Sequence, residues 1–232
     1  MRNVAHIDTS TRVLGKDYPY PIAIAPSAMQ QLAHPDGELG TSRAAASQGT
    51  TMTLSTFSTT SLEDVIKAGS EIPRSSGIPL PEYWLQLYCF QNRKTSESLL
   101  RRAEAAGYKA VVLTVDTPYL GKRYNELRNK FMLPSHIKLG NFTDDSVKTF
   151  GEKITIEMEP EKQEKDRQAP KSKIGGPIPG PLKNENGKLT IDSSDPVDAS
   201  ISWEETIPWL RSVTSMKIIV KVIFRTAFFS FL

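Results

Sequence analysis

The sequence has one cysteine, Cys89, in 232 residues, which excludes an internal disulfide framework and a cysteine-rich zinc site. Cys89 follows the apolar run Tyr83–Tyr88, the setting of a small core residue rather than a nucleophile. Histidine is scarce as well. His6, His34 and His136 are the only three; they lack metal-ligand spacing and an acidic partner, and each is read as structural. No apolar run approaches the ~20 residues of a membrane span. Met1-Arg2-Asn3-Val4 has neither an apolar signal core nor an arginine-rich leader. The 29 basic and 26 acidic residues are interspersed and leave a net charge of +3. That gives no basic stripe for nucleic acid. No Gly-rich phosphate loop of the Walker or dinucleotide type occurs. The sequence therefore predicts a soluble chain with no nucleic-acid or membrane partner. Its 38% hydrophobic and 24% charged residues are those of an ordinary globular protein, long enough for one large domain or two small ones.

What is present is a repeated rhythm. Pro21-Ile22-Ala23-Ile24-Ala25 reads as a short buried strand, after turn chemistry around Lys16, Asp17, Tyr18 and Pro19. His34-Pro35-Asp36-Gly37-Glu38 opens a helix, with Pro35 in its entry and acids at its positive end. That helix runs through Thr41–Gln48 to a left-handed stop at Gly49. Thr51–Leu54 is a second strand ending at Ser55. Thr60-Ser61-Leu62-Glu63 fits a capping box, and the helix it starts is expected to stop at Gly69. Tyr83–Tyr88 is a third strand, followed by a helix from about Thr95 to Gly107. Ala110-Val111-Val112-Leu113-Thr114 is a continuous apolar, β-branched run, as in a strand buried on both faces. Strand, helix and glycine stop in register predict βα units and a parallel sheet. From about Gly140 to Ser200 the rhythm fails, and the polar, Gly- and Pro-rich composition predicts a disordered insert or a lid. Order is expected again at Ser202, where a helix would bury Trp203, Ile207 and Leu210 on one face. Lys217–Lys221 is a fifth strand, and Val222–Leu232 is a greasy tail.

The strand ends collect Pro26-Ser27-Ala28, Ser55, Gln86 with Tyr88, Thr114 with Asp116, and Lys221. These are neutral hydrogen-bonding groups, one carboxylate and a terminal lysine. A flat heterocycle with carbonyls and ring nitrogens needs such partners, and α/β barrels do their chemistry at this end of the strands. The residues alone leave two readings open. Asp116, Lys122 and Arg123 either belong to a catalytic centre, or Asp116 caps the next segment and the cations are solvated.

Ile24-Ala25-Pro26-Ser27-Ala28-Met29-Gln30, His34-Pro35-Asp36-Gly37-Glu38, Thr53-Leu54-Ser55, Gln86-Leu87-Tyr88 and Leu113-Thr114-Val115-Asp116-Thr117-Pro118 occur in an order similar to the FMN-dependent 2-hydroxy acid oxidases and dehydrogenases. That family includes glycolate oxidase and the cytochrome-linked L-lactate dehydrogenase. The resemblance implies an FMN-binding (β/α)8 TIM barrel that oxidises a small L-2-hydroxy acid, of lactate or glycolate type, to a 2-keto acid. This chain would carry the first five βα units, an incomplete barrel with the long insert after the fourth strand. The resemblance places Pro26, Ser27 and Ala28 along the flavin, with Ser55, Gln86 and Thr114 bonding its ring. Tyr88 and Arg123 would face the substrate. Lys221 would lie beside the flavin's N1 and C2 carbonyl, where a cation stabilises the anionic reduced ring. Asp116 would orient the catalytic histidine.

That histidine belongs to a Ser-Asn-His-Gly-Gly-Arg-Gln motif which these residues do not contain. The family's substrate-holding arginine in the same motif, and its later FMN-phosphate sites, are also missing. The resemblance therefore implies a truncated family member, inactive as it stands and a poor retainer of FMN. It divides the chain into barrel residues 1–139, a disordered insert 140–200, a barrel continuation 201–221 and a non-family tail 222–232. The tail resembles read-through at a missed splice site or a frameshift. Two other functions compete: a non-catalytic fragment that binds a partner chain through its open barrel edge, and a flavin barrel with different chemistry. Tyr88 and Arg123 favour hydroxy-acid oxidation over the latter. The insert is more like that of the dehydrogenases than of the short-looped oxidases. The family implies a soluble intracellular protein, mitochondrial or peroxisomal, and leaves room for a homo-oligomer in the full-length form. The particular hydroxy acid and the electron acceptor are not legible.

Overall fold

The first ordered element is a hairpin that the expected turn at Lys16–Pro19 does not anticipate. The computed structural model describes residues 5–73, 78, 81–117, 119–120, 124–129, 131, 133–142, 176–177, 182–185, 188–191 and 197–222. Among them β1 (Thr11–Val13) pairs antiparallel with β2 (Lys16–Tyr18). The reversal falls two residues earlier than expected, at Leu14 and Gly15, with φ of 50° and 87°. Two left-handed residues give the tight turn whose twist matches the flanking strands. Leucine is an uncommon choice for the first, because its Cβ crowds the carbonyl there.

The helices and strands then alternate. After a 3₁₀ turn at Gln30–Leu32 come α1 (Gly37–Gln48), β3 (Met52–Leu54), α2 (Leu62–Ser70), β4 (Tyr83–Leu87), α3 (Arg93–Ala106) and β5 (Ala110–Thr114). Beyond β5 lie β6 (Tyr119–Leu120), α4 (Tyr124–Asn129) and a 3₁₀ turn at Gly140–Phe142. Three short strands follow: β7 (Gly176–Pro177), β8 (Leu182–Glu185) and β9 (Lys188–Ile191). The last two elements are α5 (Trp203–Val213) and β10 (Lys217–Lys221).

β3, β4, β5 and β10 form one parallel sheet in that spatial order. Each βα unit adds its strand beside the previous one, which is how a barrel wall is built. The expected first strand is reduced to one bridging residue, Ile24, paired parallel with Met52. Ile24 N–H donates to Thr51 O at 2.8 Å and Ile24 O accepts from Thr53 N–H at 2.9 Å. Pro21 and Pro26 have no N–H to extend that ladder.

Strand alternation gives the sheet two faces. Leu54, Leu85, Leu87, Val111 and Leu113 turn toward the helices and pack with Leu62, Val65, Leu99, Leu100, Ala103 and Leu210 in one core. Each such side chain, fully withdrawn from water, stabilises the fold by ~1.5–3 kcal/mol. The other face carries the polar strand ends. Cys89 is in the core, 1% exposed, and burial pushes its thiol up to about 11.

Caps fix the helix ends, with small shifts from expectation. In α2 the cap is Ser61, whose Oγ accepts from Asp64 N–H at 3.1 Å, one residue later than the expected Thr60–Glu63 box. The helix runs to Ser70, one residue beyond Gly69. Gly69 is needed for packing: a Cβ there would come within 1.7 Å of the Tyr83 hydroxyl. Gly49 and Gly107 are the left-handed stops, at φ of 64° and 104°. Ser202 caps α5 as expected. Trp203, however, is 56% exposed, and the buried residues of that helix are Thr206 and Leu210.

The polar stretch expected from Gly140 begins later. Gly140, Asn141 and Phe142 form a 3₁₀ turn next to a small cluster of Leu133, Ile137 and Leu139. Most of residues 143–196 and all of the tail from 223 lie outside the described residues. Within the insert, β8 pairs antiparallel with β9, and β7 pairs with β6 just past the β5 end.

Candidate functional site

The β5 segment ends in a buried hydroxyl, Thr114, where the apolar run meets the open end of the sheet. Register sets what lies beside it. Thr114 is opposite Lys221 on β10, Gln86 on β4 is opposite Val112, and Leu54 is opposite Leu85. Ser55 therefore follows β3 at the level of Gln86. Ser55, Gln86 and Thr114 are all buried, 5%, 3% and 4% exposed, and lie on neighbouring strands of the face away from the helices.

Hydrogen bonds fix their donor directions. Thr56 N–H donates to Gln86 Oε1 at 3.0 Å, and an amide N–H can donate only to the oxygen end, so the Gln86 amide has one orientation. Its Nε2 then donates to Thr114 Oγ1 at 3.1 Å. Thr56 Oγ1 adds a bond to Gln86 O at 2.6 Å. Ser55 Oγ accepts from Phe57 N–H at 3.2 Å. By donor inventory among the described residues, a second Gln86 Nε2 hydrogen and the hydroxyl hydrogens of Thr114 and Ser55 are left to donate. At the row's end Lys221 Nζ lies 3.4 Å from Asp116 Oδ2, with the carboxylate side chain only 8% exposed. Thr117 Oγ1 donates to Asp116 Oδ1 at 3.0 Å.

Tyr88, one residue past β4, is half-buried and stacked on Phe57, centroids 5.7 Å apart. Ser27 and Ala28 are exposed, and Pro26 is partly so, just beyond the Ile24 bridge. The structure thus brings Ser55, Gln86, Thr114, Asp116 and Lys221 into one row, with Tyr88 past the end of β4 and Pro26, Ser27 and Ala28 past Ile24. Arg123 lies outside the described residues. A set of donors and one cation, with a small-residue segment at its end, fits the carbonyl- and nitrogen-bearing edge of a flat ring such as a flavin.

Two buried polar residues behind the row were not singled out from sequence. Asn141 is fully buried: Oδ1 accepts from Leu62 N–H at 2.9 Å, and Nδ2 reaches Ser55 O, Thr56 O and Ser58 Oγ at 3.3, 3.0 and 3.0 Å. Glu38, expected only as an acid at a helix start, is also fully buried. It accepts from Gln30 N–H, Thr59 N–H, Thr59 Oγ1 and Thr60 Oγ1 at 3.0, 2.9, 2.5 and 3.0 Å. A cleft of about 180 Å³ lined by Leu113, Val115, Ile201, Ser202, Trp203 and Thr206 is on the helix-facing side of β5, away from this row. Among the described residues no group of three or more His, Cys, Asp or Glu could hold a metal ion. No helix among them is long and apolar enough to cross a membrane.

Comparison with known proteins converges on one description. Residues 1–227 match the family described as FMN-dependent dehydrogenase. Human 2-hydroxyacid oxidase 1 is 40% identical over 225 residues, covering 97% of this chain and 50% of the relative. Maize (Zea mays) glycolate oxidase 1 is 39% identical over 219 residues, covering 94% and 48%. Among solved structures, mandelate oxidase with (S)-4-hydroxymandelic acid superposes with a TM-score of 0.66 at 27% identity, covering 97% of this chain and 51% of that one. The chain spans about half the length of the curated relatives it matches.

Proposed function

The chain belongs to the FMN-dependent dehydrogenase family, and from that premise we propose that it is the flavin-ring half of an enzyme oxidising L-2-hydroxy acids to 2-keto acids. The observation that carries this is the continuous row from Thr56 through Gln86 and Thr114 to Lys221 and Asp116. It lies at the carboxyl ends of adjacent parallel strands, where α/β barrels place their chemistry. The names of the relatives, both oxidases of 2-hydroxy acids or glycolate, support the substrate class.

Bound FMN supplies the two-electron acceptor. The chain's own residues bind and orient. Pro26, Ser27 and Ala28 offer a close apolar approach for the ring plane, and Ser55, Gln86 and Thr114 donate to its polar edge. Lys221 brings a cation to where negative charge gathers on reduction, a stabilisation supplied by a fixed charge in a partly dry site. Asp116, paired with Lys221, would orient a base, and Tyr88, held by the Phe57 stack, would meet substrate. Arg123, outside the described residues, keeps the substrate-facing role that the family resemblance gives it.

Residues 1–232 contain no Ser-Asn-His-Gly-Gly-Arg-Gln segment, so the polypeptide alone lacks the base, a group typically worth ~10²–10⁴-fold. It should not turn over glycolate, L-lactate or mandelate with added FMN and a dye. A second reading has an observation of its own: β10 pairs only with β5 among the described strands, an edge that can add a strand from a partner chain. The functional test is a fusion of residues 1–221 to the remainder of human 2-hydroxyacid oxidase 1. A yellow protein that reduces dye with a 2-hydroxy acid, and loses this on Lys221→Met, is the expected result. A folded fusion that binds no flavin would refute the proposal and favour the partner-binding reading.

A further inference from the structure

We propose that Asn141, with Glu38 as a second anchor, is a positioning residue that sets the donor directions of Gln86 and Thr114. The proposal rests on the flavin-ring assignment above and adds to it what holds those residues in place.

The loop 55–61 leaves β3 and must cross the open end of the sheet before α2 starts. Its own sequence is almost wholly hydroxyl-bearing and has no apolar anchor except Phe57. Left alone, such residues satisfy their backbone locally in several ways. Here the loop is held from outside by two side chains remote in sequence. Asn141 bonds both ends at once: its Nδ2 donates to Ser55 O and Thr56 O, and its Oδ1 takes the Leu62 N–H at the start of α2, one of the donors a helix N-terminus leaves unmet. Glu38 takes Thr59 N–H and both threonine hydroxyls, and ties them to Gln30 N–H. Gly140 lets this happen. A Cβ there would lie 2.3 Å from Ser61 N and Thr60 C, so only glycine brings Asn141 against the loop.

The consequence reaches the row through Thr56. With the Ser55 carbonyl held by Asn141, the Ser55–Thr56 peptide points its N–H at Gln86 Oε1. That bond forces Nε2 toward Thr114, which leaves the Thr114 hydroxyl hydrogen as a donor. If the Thr56 N–H turned away, the Gln86 amide could flip and offer an acceptor where a ring carbonyl needs a donor. A buried, satisfied network of this kind specifies one arrangement.

The test uses the full chain carrying Asn141→Leu or Asn141→Asp. Aspartate keeps the acceptor for Leu62 N–H but loses all three donor contacts. Leu210→Ala, in the core beneath α5, serves as a control for lost stability. Two readouts are taken below each variant's melting range: the Gln86 side-chain amide resonances with Thr56 amide exchange, and riboflavin affinity by fluorescence quenching. Both Asn141 variants should shift the Gln86 amide signals, lower Thr56 protection at least tenfold and weaken riboflavin at least tenfold, while Leu210→Ala does neither. Glu38→Gln should loosen Thr59 and Thr60 with a smaller effect on Gln86. Unchanged Gln86 signals and Thr56 protection in the Asn141 variants would overturn the proposal, as would an equal change in Leu210→Ala. If the unaltered chain takes no riboflavin, the ring assignment fails, and the resonance arm still decides the positioning role.

Discussion

Replacing Gly69 with alanine sets two effects of opposite sign against each other. In an ordinary helix interior, Gly→Ala stabilises by ~0.5–1 kcal/mol, because glycine loses more backbone freedom on folding. Gly69 is buried on α2, and its missing Cβ is where the Tyr83 hydroxyl sits, 1.7 Å from the ideal position, with Ser42 Oγ at 2.8 Å. That hydroxyl is 2.8 Å from Ser42 Oγ, and Ser42 donates to Val65 O at 2.5 Å, so Tyr83 is the donor of the pair. Its ring also meets Tyr108 edge-on at 6.1 Å. Alanine must push Tyr83 aside. Overpacking costs ~1–3 kcal/mol, and a buried hydroxyl left unmatched costs ~1–3 more. The loss outweighs the propensity gain, for a net destabilisation of ~1–5.5 kcal/mol and a Tm lower by roughly 2–22 °C. Thermal unfolding followed by circular dichroism measures it. Adding Tyr83→Phe removes the atom that clashes, so the double variant should recover at least half of the loss against Tyr83→Phe alone, a coupling read from the mutant cycle. A Gly69→Ala protein as stable as the parent would refute the packing account of this glycine.

Three further outcomes follow from burial and capping. Cys89, with its thiol pushed up to about 11, should not react with a thiol reagent at pH 8.5, where the thiolate fraction is ~0.3%; full modification should need denaturant. Tyr108 donates to Leu62 O at 3.0 Å, and its phenol is raised well above 10.0, first by burial and then by Tyr83 and Glu63. Both states are protonated below pH 10, and above it the unfolded chain ionises first. Stability should therefore fall as pH rises past 10, with Tyr108 ionising at 295 nm only as ellipticity is lost. Ser61→Ala removes the α2 cap and should cost ~1 kcal/mol, read as a lower urea midpoint at unchanged slope.

The sheet was legible because its signals are local. Each apolar run is closed by a polar strand end and followed by a helix with its glycine stop, and β3, β4, β5 and β10 all lie where that rhythm puts them. Neighbouring order then follows from βα connectivity. The strand-end residues Ser55, Gln86 and Thr114 were legible for the same reason, with the family motifs adding their likeness. What was missed depends on distance along the chain. Asn141 meets Ser55 and Thr56 across 86 and 85 residues, and no spacing in the sequence points to that pairing. Polar composition put Gly140 and Asn141 in the insert, although a small residue followed by an amide is what the approach to Thr60 and Ser61 needs. The hairpin was hidden because Leu14 is an uncommon residue at a left-handed position. Of the three residues that spacing puts on the apolar stripe of α5, Leu210 is buried and Ile207 packs against the core, but Trp203 is 56% exposed and Thr206 is buried beside Leu210.

Whether residues 1–232 hold the ring end of a flavin is decided by comparing FMN with riboflavin. On the proposed assignment every cofactor-binding residue named here faces the ring, so the phosphate should add little. Fluorescence-quenching titration of the polypeptide should give weak affinities for the two that agree within about threefold, a difference of ~0.7 kcal/mol. Gln86→Leu and Thr114→Val should weaken both ligands together by at least tenfold. Flavin should wash out on desalting. A strong preference for FMN over riboflavin, or binding indifferent to Gln86 and Thr114, would contradict the claim.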